Sequence, residues 1–207
     1  MLAIVDYGLG NLRSICAALE RLEVAYACTS DKETIGKADG LILPGVGAFG
    51  DGMNNLRRLG LAELLGDLVV EGKRPVLGIC LGFQLMAREG HEFGHAPGLG
   101  WIEAAVVPMS RVDESVRIPH VGWNDCTRTR QSPLFDEIPE NALFYFTHSY
   151  HMQCSDERDV VAMSDHGLPF VAAVQKGNIF GTQFHPEKSQ WHGLSLLRNF
   201  AAKVVAC

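Results

Sequence analysis

Two short segments carry residues suited to nucleophilic catalysis. The first is Gly78-Ile79-Cys80-Leu81-Gly82, a G-x-C-x-G pattern between the apolar run Val76–Ile79 and a stretch of helical character, Leu81–Arg88. A sharp strand-to-helix turn exposes its central residue, as in the nucleophile elbow, and the flanking glycines permit the tight turn. Cys80 would lie at a helix N-terminus, where the dipole and free N–H groups favour a thiolate. The same N–H groups, beginning with that of Leu81, can hold an oxyanion. A buried structural cysteine is the alternative reading of this turn, since free thiols are usually core residues.

The second segment is His185-Pro186-Glu187, which follows the apolar run Ile179–Phe184. On an extended chain residues two apart share a side, so Glu187 can orient the imidazole of His185. Cys80, His185 and Glu187 then form a nucleophile, a general base and an orienting acid. The base matters because a thiol of ordinary pKa is only slightly ionised at neutral pH. A polar turn before the last helix is an equally good reading from spacing alone.

The elements that must position these groups alternate through the first half of the chain. Strands are predicted at Leu2–Val5, Val24–Cys28, Leu41–Leu43 and Val76–Ile79, with helices at Asn11–Leu22 and Leu61–Val70. That alternation indicates a parallel sheet covered on both faces. Short strands follow at 101–107, 117–121, 142–146, 160–163, 170–174 and 179–184. The amphipathic segment Trp191–Val204 closes the chain, with Trp191, Leu194, Leu197, Phe200 and Val204 expected to pack into the core. The expected architecture is a single α/β domain over residues 1–207, a three-layer sandwich with a mixed, largely parallel sheet.

Bulk properties narrow the field. A net charge of −6 offers no basic footprint for nucleic acid and argues against an anionic membrane surface. No stretch has the length of a membrane span. The six cysteines (Cys16, Cys28, Cys80, Cys126, Cys154, Cys207) form no C-x-x-C pair, which suits reduced thiols in a cytoplasmic setting. His91-Glu92-Phe93-Gly94-His95 matches H-E-x-x-H, but that motif binds zinc on a helix, and Gly90, Gly94 and Pro97 interrupt one here. Gly45–Gly50 matches G-x-G-x-x-G without an acid closing the next strand, as a dinucleotide site requires.

The two chemical segments also carry a resemblance. Gly78–Gln84 (GICLGFQ) and Gly181–Glu187 (GTQFHPE) resemble the triad-type, class I glutamine amidotransferases. Pro44-Gly45-Val46-Gly47 is similar to that family's oxyanion loop. Asp6–Asn11 (DYGLGN), Pro119–Asn124 (PHVGWN), Tyr145–Tyr150 (YFTHSY) and Lys188-Ser189 are similar to one branch, whose members supply ammonia to a cyclase that makes imidazole glycerol phosphate and an aminoimidazole nucleotide in histidine biosynthesis. Phe83 departs from the family, which usually has Met there.

The resemblance implies a flavodoxin-like fold and hydrolysis of glutamine through a thioester on Cys80, with no cofactor and no metal. It implies oxyanion donors at Val46, Gly47 and Leu81, and a glutamine pocket lined by Gln84, Glu92, Ser149 and Tyr150. Asn11, His120, Trp123, Asn124 and Lys188 would meet the cyclase subunit, a (β/α)8 barrel, in a heterodimer. The branch motifs argue against a paralogous glutaminase feeding another synthase, for example in surface-sugar assembly. The intact Cys80, His185 and Glu187 argue against a decayed binding protein.

Overall fold

A computed structural model describes residues 1–110 and 116–205. Strands β1 (Leu2–Val5), β2 (Tyr26–Thr29), β3 (Gly40–Leu43) and β4 (Val76–Ile79) are short, and β1, β3 and β4 are wholly buried. The chain continues through β5 (Ala87–Gly90), β6 (Ala96–Pro97), β7 (Ile102–Pro108), β8 (His120–Asp125), β9 (Thr127–Arg128), β10 (Leu143–His148), β11 (Tyr150–Cys154), β12 (Val160–Asp165), β13 (Pro169–Lys176) and β14 (Ile179–Thr182). The main sheet runs β2-β1-β3-β4-β14-β13-β12-β9. Its first five strands are parallel and the last three antiparallel, so it is mixed and largely parallel as expected.

Strand alternation divides the core. Leu2 and Ile4 of β1 face one layer with α1 (Leu12–Arg21) and the closing helix. Ala3 and Val5 face the other, with α2 (Lys32–Lys37), α3 (Phe49–Arg58) and α4 (Leu61–Gly66). This is the period of two that a twice-covered strand shows. Two smaller sheets, β10-β8 and β11-β7-β5-β6, stand beside the large one.

Several expectations need correction. The helix predicted over Leu81–Arg88 is only α5 (Leu81–Gln84). Ala87–Gly90 instead becomes β5, captured by parallel pairing with β7 and antiparallel pairing with β6; ladder bonds outweigh local propensity here. The helix at Leu61–Val70 gives way after Gly66 to a π-helical turn, Asp67–Glu71. The strand read at 117–121 begins only at His120, after Pro119, which has no N–H to give a ladder. α3 escaped the reading because Gly50 and Gly52 dilute its pattern. Gly52 lets it approach α5, where a Cβ would stand 3.0 Å from Leu85. Along α6 (Gln190–Val205), Leu194, Leu197, Phe200 and Val204 are buried, but Trp191 is 63% exposed and lies under the Arg198 guanidinium at 5.3 Å. The five described cysteines are free thiols, and Cys207 lies outside the described residues.

Candidate active site

Neighbouring strands β4 and β14 end side by side, with Ile79 opposite Thr182. Each hands the chain to one half of the candidate site. At the end of β4, Cys80 takes φ +53°, ψ −108°, a conformation costly for a residue with a Cβ. Its N–H is tied to Thr182 O at 2.8 Å, which locks the turn to β14. The next turn stays tight because position 82 carries no side chain: a Cβ there would meet Leu43 O at 1.8 Å.

Beyond β14, Pro186–Lys188 forms a 3-10 turn rather than an extended segment. The pairing of His185 with Glu187 therefore arises from turn geometry, not strand alternation. Its product is close and dry: His185 Nδ1 lies 2.8 Å from Glu187 Oε1, both side chains nearly inaccessible. Ser189 secures the turn by donating to His185 O at 2.6 Å and accepting the Tyr145 N–H at 2.9 Å. Burial works against an imidazolium at His185, but the charges of Cys80 and Glu187 and the hydrogen bond to Glu187 outweigh it and hold the pKa up to about 10. His185 Nε2 has no hydrogen-bond partner among the described residues.

Cys80, His185, Gln84, Glu92, Ser149 and Tyr150 share one cleft of about 500 Å³ with Val46, Gly47 and Leu81. Gln84 Nε2 donates to Tyr150 O and to Gln183 Oε1, each at 3.0 Å. Glu92 Oε2 accepts the Phe49 N–H at 2.8 Å at the start of α3. His91–His95 lies in a turn between β5 and β6, without the helix a zinc motif needs.

The loop expected to hold an oxyanion is differently disposed. The Leu81 N–H donates to Gly45 O at 3.3 Å. Gly45 can come this close because a Cβ there would strike the Tyr7 hydroxyl at 2.4 Å and Leu81 Cβ at 2.8 Å. Tyr7 holds the root of the loop by donating to Pro44 O at 2.7 Å. In this arrangement one of the three expected donors, that of Leu81, is occupied by the protein's own backbone.

The residues expected at a partner face separate. Trp123, 45% exposed, makes an edge contact with Tyr145 at 5.9 Å, and the Lys188 ammonium lies over the same Tyr145 ring at 5.7 Å. Val121 and Leu143 extend this exposed strip. Asn11 is half-buried at the start of α1, which packs on the Pro186–Lys188 turn. His120 does not belong to the surface: it is 3% exposed and stacks on Phe146 and His166. Side chains three apart on a strand point to opposite faces, so His120 and Trp123 cannot share one. Asn124, half-buried, points inward with His120 and bonds to it. Sequence reading also passed over Tyr7, His148, Gln183 and Ser189; each lies inside or beside a motif already singled out.

Comparisons with known proteins agree on one family. Residues 3–204 match the model for "Glutamine amidotransferase class-I". The chain is 46% identical to imidazole glycerol phosphate synthase subunit HisH 1 of Campylobacter jejuni subsp. jejuni, covering 97% of this chain and 99% of that protein. It is 44% identical to imidazole glycerol phosphate synthase subunit HisH of Bacillus subtilis, covering 97% and 95%. The subunit HisH of Leptospira borgpetersenii is 40% identical, covering 98% and 100%. Among solved structures, one described as a glutamine amidotransferase superposes with a TM-score of 0.76 at 22% identity, covering 100% of this chain and 99% of its own. PurLQS from Thermotoga maritima gives 0.74 at 21%, covering 98% and 97%. At those identities the structures speak to the fold alone.

Proposed function

The chain belongs to the class I glutamine amidotransferases, in the branch of imidazole glycerol phosphate synthase subunit HisH, and from that premise we propose how its residues do the work. It hydrolyses glutamine and passes the ammonia to a cyclase subunit in histidine biosynthesis. Nothing in the comparisons favours the surface-sugar alternative.

Cys80 is the nucleophile. Its thiolate attacks the side-chain amide carbon of glutamine, forming the C–S bond and moving an electron pair onto oxygen. As that oxyanion collapses, the protonated His185 gives its Nε2 proton to the departing nitrogen, which leaves as ammonia. The neutral imidazole then takes a proton from water, whose oxygen attacks the thioester and releases glutamate and the thiolate. Glu187 keeps the Nδ1 proton in place throughout and stabilises the imidazolium. Gln84, Glu92, Ser149 and Tyr150 bind the amino-acid end, the Glu92 carboxylate facing the substrate's ammonium group.

Leu81, Val46 and Gly47 supply the oxyanion donors after one change. A turn of the Gly45–Val46 peptide withdraws the carbonyl now held by Leu81 and brings the Val46 N–H inward. One such donor is worth about 2.7–4 kcal/mol of barrier, so the chain alone should be slow. The cyclase, a (β/α)8 barrel in a heterodimer, docks on the strip of Val121, Trp123, Tyr145 and Lys188, with Asn11 at its margin; aromatic residues of this kind anchor interfaces. Residues 1–207 act as one domain. Free thiols suit a cytoplasmic setting.

The observation that carries the mechanism is the strained Cys80 elbow sharing a cleft with the buried His185–Glu187 pair. Ammonia release should be measured with and without a cyclase subunit carrying its nucleotide ligand. Strong stimulation is expected, and Cys80→Ala should lose roughly 10⁴-fold or more of the stimulated rate. A glutamine-like electrophile should label Cys80 and spare the other cysteines. Substantial hydrolysis by the alanine variant, or full activity of the isolated chain, would sink this account.

A further inference from the structure

Away from the His185–Glu187 pair, the chain buries a second set of polar groups whose bonding has only one consistent polarity. Asn124 Oδ1 accepts the Asp125 N–H at 3.0 Å and Asn124 Nδ2 donates to Asp165 O at 2.7 Å, so its amide orientation is set from both ends. Its remaining hydrogen faces His120 Nε2 at 3.4 Å, which must be the bare nitrogen. His120 then carries its proton on Nδ1, 3.1 Å from His148 Nε2, which must also be bare. His148 Nδ1 donates to Tyr150 O at 2.9 Å. Tyr150 O also accepts from Gln84 Nε2, whose second hydrogen goes to Gln183 Oε1. That leaves Gln183 Nε2 as a donor to Cys80 Sγ at 3.9 Å.

An unbroken line of bonds thus runs from β8, whose outer face carries Trp123, to the nucleophile. It exists only while both imidazoles are neutral: a proton on either would set two donors against each other. Burial, reinforced by neighbouring histidines, pushes His120 down to about 4 and His148 down to about 3, the latter despite its bond to Tyr150 O. Among the described residues β8 pairs with β10 alone, and β10 leads through Ser149 directly to Tyr150. A small displacement of β8 therefore reaches the Tyr150 carbonyl along two routes, backbone and side chain.

We infer that His120 and His148 are positioning residues, a neutral hydrogen-bond relay through which docking on β8 resets the Gln84–Tyr150 wall and the Cys80 thiol. The relay rests on the reading that a cyclase subunit binds this face. Its first test needs no partner. Nitrogen-15 spectra of the histidine-labelled full chain at neutral pH should show both residues as the less common Nδ1–H tautomer; an Nε2–H tautomer or an imidazolium at either overturns the relay.

The second test is kinetic. With the cyclase and its nucleotide ligand present, His120→Leu should lower stimulated turnover roughly tenfold, while affinity for the cyclase stays within about twofold. His120→Gln, able both to donate and to accept, should recover most of the loss. If His120→Leu does not fold, Asn124→Asp at a half-buried position decides: it sets an acceptor against His120 Nε2, so the His120 tautomer should change and stimulation should fall. Undiminished stimulation in the leucine variant, or in the aspartate variant, overturns the relay alone. A wild-type chain that binds the cyclase yet never hydrolyses glutamine overturns the functional reading and the relay with it.

Discussion

His185 and His120 are buried to nearly the same degree, yet their surroundings drive them to opposite charge states. His185 shares a dry turn with a carboxylate and a cleft with a thiol, and its charged form persists up to about 10. His120 shares a dry strand pair with two other imidazoles and an amide, and its charged form is expelled down to about 4. Burial alone predicts a downward shift for both. The partner group decides the sign, and with it whether a histidine can move a proton or only hold a hydrogen bond.

The contrast breaks most severely at Glu187. In Glu187→Gln the amide can donate to His185 Nδ1 and trap the tautomer whose Nε2 carries the proton, useless as a base towards Cys80 or water. Turnover should fall on the order of 10²–10⁴-fold with little change in KM, measured by ammonia release in the stimulated complex. An unchanged kcat would leave Glu187 a structural role only.

Gln84 joins the two regions, so Gln84→Ala tests their independence. It strips one donor from Tyr150 O and, among the described residues, the one hydrogen bond that Gln183 Oε1 accepts. A buried group left unpaired costs about 1–3 kcal/mol. The expected result is roughly a 10- to 100-fold loss in kcat/KM, weighted towards KM. A loss confined to kcat would mean that Gln84 serves the thiol through Gln183 more than it serves the substrate.

A milder test is the pH dependence of thermal unfolding. For His185 the folded pKa, about 10, lies above the unfolded value of about 6.5, so its contribution is full below 6.5 and is lost as pH rises towards 10. For His120 and His148 the folded values lie below 6.5, so stability is lost as pH falls from 6.5 towards 4 and 3. Melting temperature should decline on both flanks by several degrees, at roughly 2–4 °C per kcal/mol for a chain this size. His120→Gln should flatten the acid flank and Glu187→Gln the alkaline one. A variant that flattens the wrong flank would reverse the assignment of charge states.

Much of this was legible in the residues, for definite reasons. β4 matches its predicted bounds because a fully buried parallel strand reads as an unbroken apolar run, and Cys80 follows from the glycines that its turn requires. Strand alternation pairs His185 with Glu187 for the wrong reason, since the chain turns there. The resemblance puts His120 at the surface, although its parity against Trp123 forbids it. Two features lay beyond local reading. The capture of Ala87–Gly90 by β7 and the occupation of the Leu81 N–H by Gly45 both depend on which segments meet in space.

The missing side chain at position 82 has a consequence for variation. With Leu43 O 1.8 Å from where a Cβ would stand, no substitution fits unless β3 retreats, and β3 leads straight into Pro44 and the loop proposed to hold the oxyanion. The elbow and the loop are in this sense one inherited part. A saturation library at position 82 screened for ammonia release should return glycine alone, whereas position 50, where a Cβ meets nothing within 4 Å, should accept many residues.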